Sequence, residues 1–151
     1  MRLALMSMPI MALAVLVATA VFAEEDDNKS FLDGVVYGQM SSAMPKLIAY
    51  ANLGAELEKA LVGANPKQTE NIGNALRHLS TQIDLEIVTY HKSLEKIRQR
   101  GNGFIMPADA LKHELDIHRD LWKQVSQYIS LRPRPEPLVH EAFVKIEKLL
   151  L

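Results

Sequence analysis

The chain has 151 residues, 48% of them hydrophobic and 23% charged, with 17 basic side chains against 18 acidic ones and no cysteine. That composition fits one globular domain and excludes disordered, collagen-like and disulfide-stapled classes. Near-neutral charge supplies no basic field for nucleic acid, where each phosphate contact needs a cation, and the missing thiols exclude covalent c-type haem, thiolate metal sites and cysteine nucleophiles.

Arg2 is the only charge among the first 23 residues, and behind it runs an apolar stretch from Leu3 to Phe22 that ends at Ala23, before Glu24, Glu25, Asp26 and Asp27. A basic start, an apolar core interrupted by Pro9 and small residues at the cut have the order of an export signal. The sequence therefore predicts a signal peptide over 1–23 cleaved after Ala23, an acidic disordered lead-in over 24–29, a bundle domain over 30–151, and a periplasmic location. The segment is also about as long as a bilayer crossing needs, so membrane attachment is expected only if the signal stays uncleaved. Met1, Met6, Met8 and Met11 fall inside the signal, leaving Met40, Met44 and Met106 to the working protein.

Four amphipathic segments follow, and none has the alternation of a strand. In the first, from Ser30 to Val62, apolar residues from Leu32 to Leu61 recur three and four apart. Gly63 is placed to cap it, and Pro45 predicts a kink or break near Ser41 to Met44. Gly34, Gly38 and Ser41 or Ser42 make a small-residue strip along it, expected to lie tightly against another helix of the same chain.

The second segment opens at Asn65-Pro66, with Gln68 placed to close a capping box, and ends at Gly101. Its seam runs from Ile72 to Ile97. The third, from Pro107 to about Leu131, has a seam of Leu111, Leu115, His118, Trp122, Val125 and Ile129, with one histidine where an aliphatic belongs. Arg132 to Pro137 alternates proline with charge and predicts a stiff extended corner, after which Leu138 to Leu150 form a short last helix. Short connections between such helices predict an all-α, up-down-up-down four-helix bundle of two long and two shorter helices. The third segment is expected to run beside the second and to end opposite residue 76, leaving the tip of the first two uncovered.

Few side chains are placed for chemistry. His118, with Glu114 one turn away, reads first as a hydrogen-bonded core histidine. The sharper reading makes it an axial or metal ligand, with Met40 or Met44 completing a non-covalent haem or metal site. No Glu-x-x-His pair, zinc-protease spacing or nucleophile elbow is present, so no catalytic residue and no dedicated metal set is assigned. The Asp109, His113, Asp116 and Asp120 row reads as a solvated face, and His91 with Glu95 as a surface pair.

What remains points to binding. The tip carrying Leu57, Leu61 and Ile72 reads first as covered by the last helix or a frayed end, and the 101–106 loop of Phe104, Ile105 and Met106 as a lid over the bundle end, with contact to another protein or a second copy as the alternative for both. The expected function is that of an exported bundle acting on protein partners as an envelope accessory, chaperone-like or inhibitor protein. A cofactor-binding bundle built on His118 is the alternative.

Overall fold

The computed structural model describes the backbone of residues 10–132 and 136–151, and side chains from residue 28 onward. The expected signal peptide therefore lies outside the residues whose side chains are described, and so do Pro133, Arg134 and Pro135 of the expected corner. Among the described residues the fold is entirely helical: α1 (Ile10–Ala60), α2 (Pro66–Arg100), a short 3-10 turn (Gly101–Gly103), α3 (Ala108–Ser130) and α4 (Pro137–Leu150). No helix among the described residues is long and apolar enough to cross a membrane.

The ends of α2 follow from its sequence. The Asn65 side chain accepts from the Gln68 N–H at 2.9 Å, and the Gln68 side chain accepts from the Asn65 N–H at 2.9 Å, so two otherwise orphan donors are satisfied. Gly63 turns the chain between α1 and α2 with φ of +83°, a left-handed conformation that costs glycine nothing, and Gly101 ends α2 with φ of +52°. Asn65→Ala should lower stability by about 1 kcal/mol, measurable as a shift of the urea midpoint at constant m-value.

α1 departs from expectation at its middle. The described backbone is helical from Ile10, through residues 24–29 as well as the expected first segment. Pro45 does not break it. The ring sits on the exposed side, while Met44 and Leu47 on either side of it are fully buried, so packing keeps both flanks of the proline helical.

α1 and α2 form an antiparallel hairpin, in which Asp33 meets Arg100 at 3.0 Å and Lys46 meets Glu86 at 3.1 Å. α3 runs parallel to α1, with Tyr128 packed on Gly54 and Arg132 paired with Glu58. α4 runs parallel to α2, carrying Lys145 to within 3.8 Å of Glu95. The principal contacts are α1 with α2 and α3, and α4 with α2 and α3. Directions therefore alternate as expected, but α3 does not lie beside α2. It sits diagonally across the core from α2 and alongside α1, because the 101–107 connection crosses the bundle end with Phe104 buried beneath it.

The core is one continuous cluster in which Met40, Met44 and Leu47 of α1, Ile87 and Tyr90 of α2, Trp122 and Ile129 of α3 and Ile146 of α4 are fully buried. Trp122 stacks at a tilt on Phe143, with ring centres 5.3 Å apart. As expected, α3 ends near Leu76, and a shallow groove lies there between Glu58, Arg77 and Arg132.

Candidate functional site

The most chemically distinctive cluster lies at the centre of the bundle. Tyr90 is wholly buried and His118 is 3% exposed, and the Tyr90 hydroxyl lies 3.0 Å from His118 Nδ1. Glu114, one turn back on α3, places Oε1 3.3 Å from His118 Nε2. Burial pushes the His118 pKa below its ordinary value, against an opposing pull from Glu114. Burial, assisted by Glu114, drives the Tyr90 phenol far above its own. The chemically consistent arrangement is a neutral imidazole that accepts the Tyr90 O–H at Nδ1 and offers Nε2–H to the Glu114 carboxylate.

The same geometry places the three candidate ligands relative to one another. By helix register Met44 shares the layer of His118 and Met40 lies one turn away, so the topology brings the three candidate ligands to one level of the core. Yet both imidazole nitrogens are engaged by protein groups, and a metal or haem iron would have to displace Tyr90 or Glu114. No group of three or more histidine, aspartate or glutamate side chains suited to a metal occurs among the described residues. The cluster is a hydrogen-bonded polar layer in an apolar core, reaching solvent only through the partly exposed Glu114. Tyr90 is the partner the sequence did not disclose: it sits on the expected seam of α2, but only the diagonal placement of α2 and α3 points it at His118.

The six candidate partner residues separate into two groups. Phe104 is buried, and Leu57, Leu61, Ile72 and Met106 are half-buried. Only Ile105, 55% exposed, is presented to solvent. At the hairpin tip Leu57 folds back onto the core, and Val62 is exposed. His91 is also corrected: it is buried rather than a surface residue, because α4 packs over that face of α2, and its Nε2 lies 3.4 Å from Glu95. The acidic row on α3 is offset by neighbouring cations as expected, with Asp116 2.7 Å from Arg119 and Asp120 3.4 Å from Lys123.

The small-residue strip of α1 is the largest surprise. A Cβ added at Gly34 or Gly38 would meet nothing within 4 Å, so this strip faces open space and not a helix of the same chain. The glycine that is closely approached is Gly54, where a Cβ would fall on the Tyr128 ring.

At 100° per residue, Phe31, Gly34, Val35, Gly38, Ser42, Ala49 and Leu53 lie opposite Met40, Met44 and Leu47, and all seven are exposed. From residue 30 to residue 55 the only charged side chains are Asp33 and Lys46. Asp33 is buried against Arg100, and Lys46 is tied to Glu86. α1 therefore presents to solvent a face roughly 33 Å long whose one charged side chain is Lys46, half-exposed and paired with Glu86. A surface helix ordinarily carries charge on that side.

No protein-family model, no curated protein and no solved structure matches this chain. The reading of the site therefore rests on its geometry.

Proposed function

We propose that this is an exported protein of the cell envelope that works by binding a protein partner, and that the partner helix docks on the outward face of α1. The observation that carries this reading is the stripe from Phe31 to Leu53, with Lys46, paired to Glu86, as its one charge, whose large members Phe31, Val35 and Leu53 are 68%, 41% and 51% exposed. Gly34, Gly38 and Ser42 recur every four residues along it. Such spacing leaves a shallow groove in which a second helix backbone approaches closely, gaining dispersion contacts at little side-chain entropy. A surface whose one charge is already paired is matched by an uncharged one, since a partner charge buried here would go unpaired. The partner segment is therefore an apolar helix poor in charge.

The export part of the reading rests on the order of Arg2, the apolar stretch and Ala23. A second reading, a cofactor bundle, has less support, because both nitrogens of its principal ligand are occupied.

The test is a native mass spectrum of the protein recovered from its own envelope, alongside a Gly38→Lys variant. Expected is a chain beginning at residue 24 in complex with another protein or a second copy, and dissociation of that complex in the variant at unchanged helical content. A bare monomer, or a complex indifferent to Gly38→Lys, overturns the assignment of the face.

A further inference from the structure

A second feature, independent of the α1 face, lies where α2 ends. A cavity of about 750 Å³ opens between the last turn of α2, the 101–107 connection, the first turns of α3 and the end of α4, and no residue of α1 lines it. Ile97 and Phe104 lie buried in its lining, and Met106, Leu111, Leu115 and Leu149 are its half-buried apolar members. The volume is in the range of small-molecule sites, roughly 300–1,000 Å³. Met106 adds a flexible, polarizable thioether that adapts to an irregular apolar guest.

Charge at the cavity is one-sided. Arg119 is held by Asp116 at 2.7 Å and by the Leu150 carbonyl, so this pair contributes no net charge. Arg98 from α2 and Lys112 from α3 also line the cavity, both exposed, and neither has an acidic partner among the described residues. An apolar hollow bordered by two unneutralised cations is complementary to one chemical class, a molecule with an apolar body and an anionic head.

We propose that this cavity binds a single-chain anionic amphiphile, its hydrocarbon against Phe104, Leu111, Leu115 and Leu149 and its head between Arg98 and Lys112. A carboxylate fits the guanidinium as a fork and the ammonium as a point charge, and a phosphate makes the same contacts. A free fatty acid and a lysophospholipid share this chemistry.

The experiment is a calorimetric titration of the full chain, below the micellar concentration of each probe, with dodecanoate, lauroyl-lysophosphatidylglycerol, dodecyl maltoside and dodecyltrimethylammonium. Expected is saturable one-to-one binding of at least one anionic probe, at least tenfold tighter than the neutral or cationic probe. Dodecanoate binding tighter identifies a fatty acid as the ligand, and lysophosphatidylglycerol binding tighter identifies a lysophospholipid. An Arg98→Gln/Lys112→Gln variant, altered only at exposed positions, should lose at least tenfold of the anionic affinity while retaining its helical content. Ala108→Phe, at the exposed lining, should block the anion without touching either cation. Equal affinity for all head groups, an unchanged double variant, or no saturable binding of any anion overturns the proposal.

Discussion

Tyr90→Phe should lower the stability of the protein by about 1–3 kcal/mol, the cost of leaving a buried polar atom without its partner. The hydroxyl removed is the one at 3.0 Å from His118 Nδ1, and at 3% exposure the imidazole has no route to water as a replacement. His118→Leu alone should cost a similar amount, since it strands the Tyr90 hydroxyl instead. The double variant should be more stable than the sum of the single losses implies, because removing both partners of a buried bond leaves nothing unsatisfied except Glu114, which is partly exposed and can turn to water. Urea unfolding of the four proteins gives the coupling directly. Simple additivity would show that the pair does not interact as described, and a cofactor signal lost with His118 would restore the ligand reading.

The same cluster makes stability depend on pH with a definite sign. His118 has its folded pKa lowered below 6.5, with burial the main cause. Above pH 6.5 the imidazole is neutral in both states and its hydrogen bonds contribute fully. As pH falls from 6.5 toward the folded pKa, the unfolded chain takes up the proton first, and stability is lost across that window. The wild type should therefore lose more stability than His118→Leu over that interval, and the difference between the two curves isolates this histidine from the other four.

The boundaries of α2 were legible because each is set by local chemistry. Asn65, Pro66 and Gln68 dictate the start of α2 whatever packs around it, and Gly101 dictates its end. A break at Pro45 does not occur for the converse reason: its penalty is local, but the burial of Met44 and Leu47 on both sides of it is tertiary. Which helix neighbours which was not legible, because four amphipathic stripes of similar width satisfy several ring orders. The crossing of Phe104 over the bundle end decides among them, and with it come Tyr90 opposite His118 and α4 over His91. The outward face of α1 could have been read. Its sequence from residue 30 to residue 55 nearly lacks charge, but apolar residues at three- and four-residue spacing draw attention to the buried seam and hide a second, nearly uncharged side.

Two glycines on α1 make opposite predictions that separate packing from binding. At Gly54 a Cβ would coincide with the Tyr128 side chain and come within 3.2 Å of Leu79. Tyr128 is constrained, since Arg132 lies 3.1 Å over its ring and also pairs with Glu58. Gly54→Ala should therefore cost about 1–3 kcal/mol of overpacking, and Tyr128→Ala in the same chain should recover much of that steric loss. At Gly38 the added methyl meets nothing, so Gly38→Ala should stabilise the free protein by about 0.5–1 kcal/mol through helix propensity alone. On the proposed docking face, the bare backbone at Gly38 is the surface that the partner helix would touch. Gly38→Ala and Gly38→Leu should then weaken the envelope complex progressively while thermal unfolding of the isolated protein shows no loss. Complexes of equal strength across that series would mean that the bare backbone of α1 is not what the partner touches.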